Sequence, residues 1–331
     1  MREDRSESWD SASLPRLGLG TAALGNLFAP VPDSEALATL ATARAGGPLW
    51  LDTAPYYGHG LAERRVGAFL RAHAGEPVRL STKVGRTLIP AEPAAERDGF
   101  VGADPARAIF DYSAGAVRRQ VADSFARLGV ARVNLLLVHD IGRLTHGDDH
   151  TLRMSEARAG AFPELRRMKA EGLTDAIGIG VNEIEVCLEV LESEPIDAIL
   201  LAGRYSLLEQ EPLDALLPRA VALGVAVIVG GPFNSGVLAG GNHYDYGRVP
   251  PHVARKVGRL REQADRHGVP LGAAALQFPL GHPAVVSVLA GARSAAEVAQ
   301  HQAWMAHPIP PAFWEALRAD GLLHPMAPVP A

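Results

Sequence analysis

Four polar side chains stand where predicted strands end, in an order that suits proton transfer. Asp52 follows the apolar run LWL and Tyr57 lies in the loop after it, while Lys83 ends the run VRLST and His139 ends the run VNLLLV. A phenol has a pKa of about 10, and a nearby ammonium favours the phenolate and lowers that pKa. We therefore predict that Tyr57 is a general acid/base tuned by Lys83. Asp52 would hold Lys83, and His139 would orient the oxygen of a substrate.

This combination of groups handles the proton of an alcohol–carbonyl interconversion but offers no hydride. A nicotinamide cofactor would have to supply that part of the chemistry. Taken singly, each residue also has a structural explanation: a turn cap, a loop aromatic, a lysine that extends to solvent or a core histidine. Their occurrence in order at successive strand ends favours the catalytic interpretation.

Eight short apolar runs alternate with amphipathic segments and must position these side chains. The runs are RLGLGT, LWLDTA, VRLSTKV, VNLLLVHD, DAIGIGVN, IDAILLAG, VAVIVGGP and VVSVLAGA. Nearly continuous apolar strands are typical of a parallel sheet covered by helices. Eight such units in 331 residues predict an α/β protein, a single-domain (β/α)8 or TIM barrel whose strand ends converge on one mouth. A doubly wound open sheet is the alternative, although LGLGTAALGN fits its G-x-G-x-x-G turn only loosely.

The barrel is predicted to span residues 14–325, between a flexible arm at 1–13 and a loose tail at 326–331. One long loop, at 86–112, interrupts the alternation of strands and helices after the third strand. Long loops in compact domains are commonly functional or disordered, and this one lies on the face that carries the chemistry of barrel enzymes.

Composition excludes several classes of partner. The net charge of −5 without a basic stripe argues against nucleic acid or an anionic membrane. The single cysteine, Cys187, is interpreted as a core residue, so neither an internal disulfide nor a cysteine metal site is expected. The histidine-rich segment 139–150 has no metal-binding spacing, and no metal is predicted. Without an apolar leader or membrane span, we expect a cytoplasmic protein, either monomer or dimer.

The motifs around these residues resemble the aldo-keto reductase family over residues 14–305. They are LGLGTAALG, DTAPYYGHGLAERRVG, STKVGR, VADSFARLGV with VNLLLVHD, GIGVNE, RYSLLEQ, GPFNSGVLAGG and GARSAAEV. The resemblance implies that Asp52, Tyr57, Lys83 and His139 correspond to the catalytic tetrad of the family.

The finer pattern is similar to the subgroup of L-fucose or D-threo-aldose 1-dehydrogenases and pyridoxal 4-dehydrogenases. That similarity implies oxidation of the anomeric hydroxyl of a sugar, or of the pyridoxal hemiacetal, to a lactone. A general aldehyde or ketone reductase and a binding subunit without activity stay open as alternatives. Phe28, Tyr56 and Asp140 are candidates to line the pocket for the sugar or aldehyde.

The resemblance also implies a set of cofactor-binding residues, in which Asn182 would hold the nicotinamide carboxamide and the loop after the seventh strand would pass along the pyrophosphate. The set is Gly20, Thr21, Asn182, Tyr205, Gly231, Pro232, Phe233, Ser235, Gly236, Gly291, Arg293, Ser294 and Glu297. The chain departs from many members of the family at three positions, Val181, Ala202 and Gly230, where those members carry Ser, Gln and Tyr. Arg204 would contact the cofactor or pair with Glu209 or Glu211.

The charge at Glu297 bears on the choice between NAD and NADP. Members that use NADP often carry an arginine there for the 2′-phosphate, whereas a carboxylate repels that phosphate and can accept from a ribose hydroxyl. NAD is therefore favoured, and Arg293 leaves the use of NADP open.

Overall fold

Eight parallel strands close into a barrel in the computed structural model, which describes residues 9–330. The strands are β1 Leu17–Gly20, β2 Leu49–Asp52, β3 Val78–Val84, β4 Val133–His139, β5 Thr174–Val181, β6 Ala198–Ala202, β7 Ala226–Gly230 and β8 Val285–Gly291. Each strand pairs with its neighbour in sequence, and β8 pairs with β1 to close the ring. The closed ring confirms the (β/α)8 prediction, and the alternative of an open, doubly wound sheet is wrong.

Helices make up most of the chain between the strands. They are α1 Asp33–Ala45, α2 Leu61–Ala72, α3 Ala114–Leu128, α4 Arg143–His146, α5 His150–Ala159, α6 Ala161–Ala170, α7 Ile184–Ser193, α8 Leu216–Leu223, α9 Pro251–His267, α10 Leu271–Gln277, α11 Ala295–Ala306 and α12 Pro311–Ala319. Several end at a glycine in the left-handed conformation, such as Gly129 after α3 and Gly268 after α9. None of the helices in residues 9–330 combines the length and the hydropathy that a membrane span requires.

Alternation along the strands separates the barrel interior from the layer under the helices. Trp50 and Leu137 fill the interior, whereas Leu51 joins the larger core that the helices cover. Two residues beyond Trp50 and Leu137, the same alternation turns Asp52 and His139 inward at the carboxyl ends of β2 and β4. Apolar side chains therefore fill the base of the barrel, and polar side chains line its mouth.

The predicted long loop at 86–112 is ordered as two antiparallel hairpins. The outer one pairs Arg86–Pro90 with Ala106–Phe110. The inner one pairs Glu96–Arg97 with Phe100–Val101. The segment is thus a small β-structure above the mouth of the barrel.

The inner hairpin turns through Asp98 and Gly99, which both have positive φ, 53° and 81°. Asp-Gly between two short strands is a strong signal for a two-residue hairpin, and the sequence analysis overlooked it. Phe100, at 2% exposure, forms a bridge with Leu27 of the loop after β1. The hairpin is therefore fixed to the barrel and does not stand free in solvent.

Both predicted loose ends contact the core where the structure describes them. Trp9 packs against the interior cluster at the base of the barrel. At the other end, Ala327 is 1% exposed, and its carbonyl oxygen accepts a hydrogen bond of 2.8 Å from Arg318. Val329 also packs against the main core. Residues 1–8 of the predicted arm lie outside the described residues.

Gly178→Ala is expected to lower the free energy of unfolding by about 1–3 kcal/mol. The new Cβ would lie 1.8 Å from the carbonyl oxygen of Ala198 in the neighbouring strand, and a backbone atom cannot move aside without disturbing the barrel. Gly258→Ala in α9 is the matched control, because no atom lies within 4 Å of its new Cβ; it should stabilise the protein by about 0.5–1 kcal/mol. Urea unfolding measures both, and equal stability of the two variants would contradict the pairing of β5 with β6.

Candidate active site

The ammonium group of Lys83 lies at the centre of the site, near the open end of β3. It donates to Asp52 Oδ2 at 2.7 Å, to the Thr53 carbonyl oxygen at 2.9 Å and to the Tyr57 hydroxyl oxygen at 3.0 Å. Ser81 donates to the other carboxylate oxygen of Asp52 at 2.6 Å. The side chains of Lys83 and Asp52 are only 2% and 5% exposed. All three ammonium protons have acceptors, which offsets the cost of burying the charge.

Burial and charge act in opposite directions on the titration of this group of residues. Burial raises the pKa of Tyr57 to about 12, and the charge of Lys83 offsets only part of that effect. Burial alone would lower the pKa of Lys83, but Asp52 and Tyr57 together hold it above its ordinary value. At neutral pH the amine is charged and the phenol is protonated. Lys83 thus lowers the pKa of Tyr57 as predicted, but burial has the larger effect and the net pKa is raised.

A direct backbone contact holds the loop that carries Tyr57. A Cβ on Gly25 would lie 2.6 Å from the Tyr57 carbonyl carbon, and a Cβ on Gly58 would lie 2.5 Å from the Gly25 carbonyl oxygen. Gly58 also has a φ of 65°, which favours glycine. The loops after β1 and β2 thus touch only because both positions lack a side chain.

His139 faces Tyr57 across the mouth, with ring centroids 5.9 Å apart and planes nearly perpendicular. Arg86 lies within 3.1 Å of His139 Nδ1 and donates to Asp140 Oδ2 at 2.9 Å. The same oxygen of Asp140 lies 3.5 Å from His139 Nε2. Burial, followed by the charges of Arg86 and Lys83, lowers the pKa of His139 well below its ordinary value. The imidazole is therefore neutral.

Arg86 is a site residue that the sequence analysis missed. Its side chain is 7% exposed, and its guanidinium lies 4.0 Å from the ring centroid of Tyr56 and 5.2 Å from that of Phe110. The available signal was its place in STKVGR, three residues beyond Lys83. Tyr56, predicted to line the substrate pocket, is partly buried between this guanidinium and Phe100.

Three aromatic rings from two loops form one wall of the mouth. Phe28, predicted to line the pocket, is 47% exposed and lies 6.0 Å from the ring of His243 and 6.4 Å from that of Tyr246. Tyr246 also has a small upward effect on the pKa of Tyr57. Asp245 and Tyr246 form a hairpin turn with φ of 46° and 63°, a strained conformation for residues other than glycine. Such strain is typical of functional segments, and Tyr246 was not among the site residues predicted from the sequence.

Arg204 pairs with neither of the two glutamates predicted as its partners. Its guanidinium donates to the two carboxylate oxygens of Asp245, each at 3.1 Å, and not to Glu209 or Glu211. Glu209 instead accepts a hydrogen bond from the Tyr244 hydroxyl. Arg204 thereby ties the hairpin with Tyr246 to the loop after β6.

The loop after β7, predicted to pass along the pyrophosphate, has four predicted residues with a backbone N–H group: Gly231, Phe233, Ser235 and Gly236. Two of these N–H groups are open. The N–H of Gly231 donates to Leu289, and that of Gly236 donates to Phe233. Among residues 9–330, the N–H groups of Phe233 and Ser235 have no acceptor. Gly231, Ser235 and Gly236 all have positive φ, of 60°, 59° and 102°, so the loop turns tightly. Successive N–H groups in such turns can form anion-binding concavities.

Four residues predicted to bind the cofactor have buried side chains. The hydroxyl of Thr21 donates to the Asp52 carbonyl oxygen at 3.0 Å, so it supports the catalytic loop. Tyr205 is completely buried, with its ring 5.3 Å from that of Phe278. These side chains pack inside the protein in this structure, and the part of these residues in cofactor binding stays a prediction. The four residues are Thr21, Tyr205, Pro232 and Phe233.

Three other predicted positions are open to the mouth. Gly20 and Gly291 are register partners at the ends of β1 and β8, and a Cβ on either would meet no atom closer than 3.9 Å. Asn182 follows β5 and is partly buried. Within the described residues its amide has no hydrogen-bond partner, so it is free to bind a ligand.

Carboxylates of this chain occupy the N-terminus of α11. Ser294 caps the helix and accepts from the Glu297 N–H at 3.2 Å, while Glu297 Oε2 accepts from the Arg293 N–H at 2.9 Å. Glu35 of α1 accepts from the Ala295 N–H at 3.0 Å. A helix N-terminus attracts anions, and two carboxylates already surround this one. Glu297 thus also has a capping role, which the sequence analysis did not foresee.

The pattern of the Aldo/keto reductase family matches residues 16–319, nearly the whole chain. The chain belongs to this family. Pyridoxal 4-dehydrogenase of Microbacterium luteolum is 41% identical over 336 residues, which cover 97% of this chain and 98% of that protein. D-threo-aldose 1-dehydrogenase of Pseudomonas sp is 37% identical over 322 residues, covering 94% of this chain and 95% of that one.

A solved relative has the same fold. The holo form of an aldo-keto reductase from Bacillus halodurans has a TM-score of 0.69 with 26% identity, and covers 93% of this chain and 92% of its own. The family match and the two dehydrogenases above identify this aldo-keto reductase as an oxidoreductase.

Aldo-keto reductases use nicotinamide dinucleotides, and the open groups of this chain fit one. The free amide of Asn182 could bind a carboxamide, and the two free N–H groups after β7 could bind phosphate. Within residues 9–330, no group of three or more His, Cys, Asp or Glu side chains is arranged to hold a metal ion. Cys187 is buried, as the sequence predicted for a core residue.

Lys83→Met should lower the free energy of unfolding by about 3–5 kcal/mol, because it leaves the buried carboxylate of Asp52 without its partner. Lys169→Met is the control, since the Lys169–Asp197 pair is partly exposed and its loss should cost at most about 1 kcal/mol. Urea denaturation at pH 7 measures both. Similar losses for the two variants would show that the Asp52–Lys83 pair is not buried as described.

Proposed function

We propose that this aldo-keto reductase is an NAD-dependent dehydrogenase that oxidises the hydroxyl of a cyclic hemiacetal to a lactone. The leading substrate is an aldose of the L-fucose or D-threo type, oxidised at its anomeric hydroxyl. The observation that carries the proposal is the contact of one buried ammonium with both Asp52 and Tyr57 at the mouth of the barrel. This arrangement serves proton transfer to or from oxygen.

Tyr57 would exchange the proton with the substrate oxygen. In oxidation the phenolate accepts the hydroxyl proton, and the charge of Lys83, 3.0 Å from the phenol oxygen, stabilises that phenolate. A bound nicotinamide would accept the hydride. Since the pKa of Tyr57 is raised to about 12, the phenolate becomes more populated as the pH rises. The oxidation rate is therefore expected to increase with pH through the alkaline range.

His139 and Asp140 would hold the substrate. His139 faces Tyr57 and is neutral, so it can donate a hydrogen bond to the reacting oxygen without adding a charge. Asp140 could accept from a neighbouring hydroxyl, since its side chain is 23% exposed. The aromatic wall with Phe28 and Tyr246 would cover the apolar face of a sugar or a flat ring.

The preference for NAD is supported by charge at the N-terminus of α11. Glu35 and Glu297 both accept backbone hydrogen bonds there. Their carboxylates would repel a 2′-phosphate, whereas a ribose hydroxyl could donate to Glu297.

Two other substrates have their own support. Pyridoxal also forms a cyclic hemiacetal, and the pyridoxal 4-dehydrogenase of Microbacterium luteolum is 41% identical to this chain. The protonated phenol of Tyr57 at neutral pH supports the reverse direction, reduction of an aldehyde or ketone. The intact contact of Lys83 with Asp52 and Tyr57 speaks against a binding subunit without activity.

Absorbance of the reduced nicotinamide tests the proposal directly. The protein would be mixed with NAD or NADP and with L-fucose, D-arabinose, L-galactose, L-xylose or pyridoxal, at pH 7 and 9. We expect reduction of NAD with sugars that share the L-fucose configuration, faster at pH 9. If only pyridoxal is oxidised, pyridoxal and not a sugar is the substrate. If no substrate is oxidised although the cofactor binds, the proposal is contradicted.

Tyr57→Phe then tests whether the activity belongs to this site. It should lower kcat by about 10²–10⁴-fold, because it removes the proton route, and should leave the affinity for NADH, measured by fluorescence quenching, within about twofold. Turnover close to that of the native enzyme would rule out Tyr57 as the acid/base.

Glu297→Arg should raise the ratio of kcat/KM with NADP to that with NAD by about tenfold or more, which corresponds to about 1.4 kcal/mol. The change replaces a repulsive charge by an attractive one at the helix N-terminus. Glu297→Gln is the matched control, since it removes the charge but keeps an acceptor for the Arg293 N–H; it should shift the ratio less. An unchanged ratio in the arginine variant would place the 2′-site elsewhere.

A further inference from the structure

We infer that Arg86 holds His139 as the neutral tautomer with its proton on Nε2, and so makes it a hydrogen-bond donor toward the mouth. Arg86 is thus a positioning residue that acts through His139. The role of the Nε2 proton toward a substrate oxygen rests on the proposed function, whereas the tautomer itself does not.

The donor inventory of arginine fixes the state of the ring. A guanidinium has only N–H donors and stays charged in proteins. Arg86 Nη1 lies 3.1 Å from His139 Nδ1, so Nδ1 must present its lone pair. The single proton of a neutral imidazole then resides on Nε2. A protonated ring would set an N–H against the N–H of Arg86.

The Nε2 proton remains available to a ligand. Asp140 Oδ2 lies 3.5 Å from Nε2, which is too long for a good hydrogen bond. That oxygen instead accepts from Arg86 at 2.9 Å. The Nε2 proton therefore has no good acceptor in the protein. A substrate oxygen bound between His139 and Tyr57, whose ring centroids are 5.9 Å apart, could accept it while exchanging its own proton with the phenol.

The charges around His139 favour the same state. Arg86 and Lys83 are cations beside the ring, and Asp140 is the carboxylate facing it, already paired with Arg86. The phenols of Tyr56 and Tyr57 face the ring edgewise, with centroids 6.2 and 5.9 Å from that of His139. Each cation has a carboxylate partner, Arg86 with Asp140 and Lys83 with Asp52. Both cations still lower the pKa of His139 after burial has done so, and a further positive charge on the imidazole is disfavoured.

Two further groups near His139, Tyr112 and His146, are neutral, and Tyr112 contacts the backbone of His139. The Tyr112 hydroxyl lies 3.3 Å from the His139 carbonyl oxygen and 2.9 Å from His146 Nε2. Burial raises the pKa of Tyr112, and burial lowers the pKa of His146 to about 4. Neither group therefore changes charge near neutral pH.

Stacking orients the guanidinium so that it reaches both acceptors. Tyr56 and Phe110 lie beside it at 4.0 and 5.2 Å, and the side chain is 7% exposed. The planar fork then donates to His139 Nδ1 and Asp140 Oδ2 at once. A lysine would keep the charge but lacks the rigid fork, so it cannot reproduce this geometry.

Nitrogen NMR of the full chain, labelled with 15N in its histidines and without added cofactor, tests the tautomer. His139→Asn assigns the signal among the 12 histidines. We expect the Nε2–H tautomer, unchanged between pH 5 and 9. The opposite tautomer, or an ordinary titration of His139 in the native protein, would overturn the inference without any variant of Arg86.

Arg86→Leu tests the cause. It should produce a mixture of tautomers and move the midpoint of His139 upward, toward the ordinary value of about 6.5. Arg64→Leu is the matched control. It breaks the pair of Arg64 in α2 with Asp104 in the hairpin segment and contacts none of the catalytic groups. It should leave the His139 signal unchanged. If Arg86→Leu does not fold, Arg86→Lys replaces it, with a smaller expected shift. An unchanged His139 signal in the folded variant would overturn the inference.

Kinetics separate the inference from the proposed function. With an identified substrate, Arg86→Leu should lower kcat by about 10–100-fold, the loss seen when the supporting partner of a metal-ligating histidine is removed. In the His139→Asn background it should lower kcat no further, while KM can still change because Arg86 also holds Asp140. An equal loss in both backgrounds would show that Arg86 does not act through His139. Absence of turnover in the native protein together with the Nε2–H tautomer would contradict the proposed function alone.

Discussion

The buried ammonium of Lys83 is the constraint on which the rest of the site depends. A charge that is 2% exposed is tolerated only when its protons have acceptors, and here they go to Asp52, Thr53 and Tyr57. Each of these acceptors comes from β2 or the loop after it. Burial of this one charge therefore requires the register of β2 against β3. It also requires the close contact of the Tyr57 loop with Gly25.

A second buried cation repeats this logic on the other side of the mouth. Arg86 has Asp140 as its carboxylate, as Lys83 has Asp52, and each cation also contacts a residue that faces the reacting space. The two cations have opposite effects on the charge of the residues beside them. The amine brings the phenol of Tyr57 closer to ionisation, whereas the guanidinium keeps His139 uncharged. The mouth thus offers one group for proton exchange and one neutral donor.

The barrel could be predicted from the sequence because strands buried on both faces leave nearly continuous apolar runs. The strand ends then placed Asp52, Tyr57, Lys83 and His139 together, and the structure brings them to one mouth. Arg86 was missed, because arginine is usually exposed and its burial depends on partners 53 and 54 residues away. The resemblance assigned Thr21 and Tyr205 to the cofactor by position, and the burial of both side chains was not visible in the sequence. The lowering effect of Lys83 on the pKa of Tyr57 could be predicted, because charges can be listed from a sequence. The larger, raising effect of burial could not.

The exit of β3 delivers both cations within four residues of chain, since Lys83 and Arg86 flank Val84 and Gly85. Gly85 makes this possible: it has a φ of 105°, and a Cβ there would lie 2.3 Å from the ring of Tyr112. One continuous segment, Val78 to Phe110, therefore contains both cations, and they lie at the base of its two hairpins. A chimaera between two members of the family would take the residues at positions 83 and 86 from the same parent when both crossover points lie outside this segment. The charge beside Tyr57 and the charge beside His139 would then come from one parent. A crossover between positions 83 and 86 would combine the amine of one parent with the imidazole environment of another.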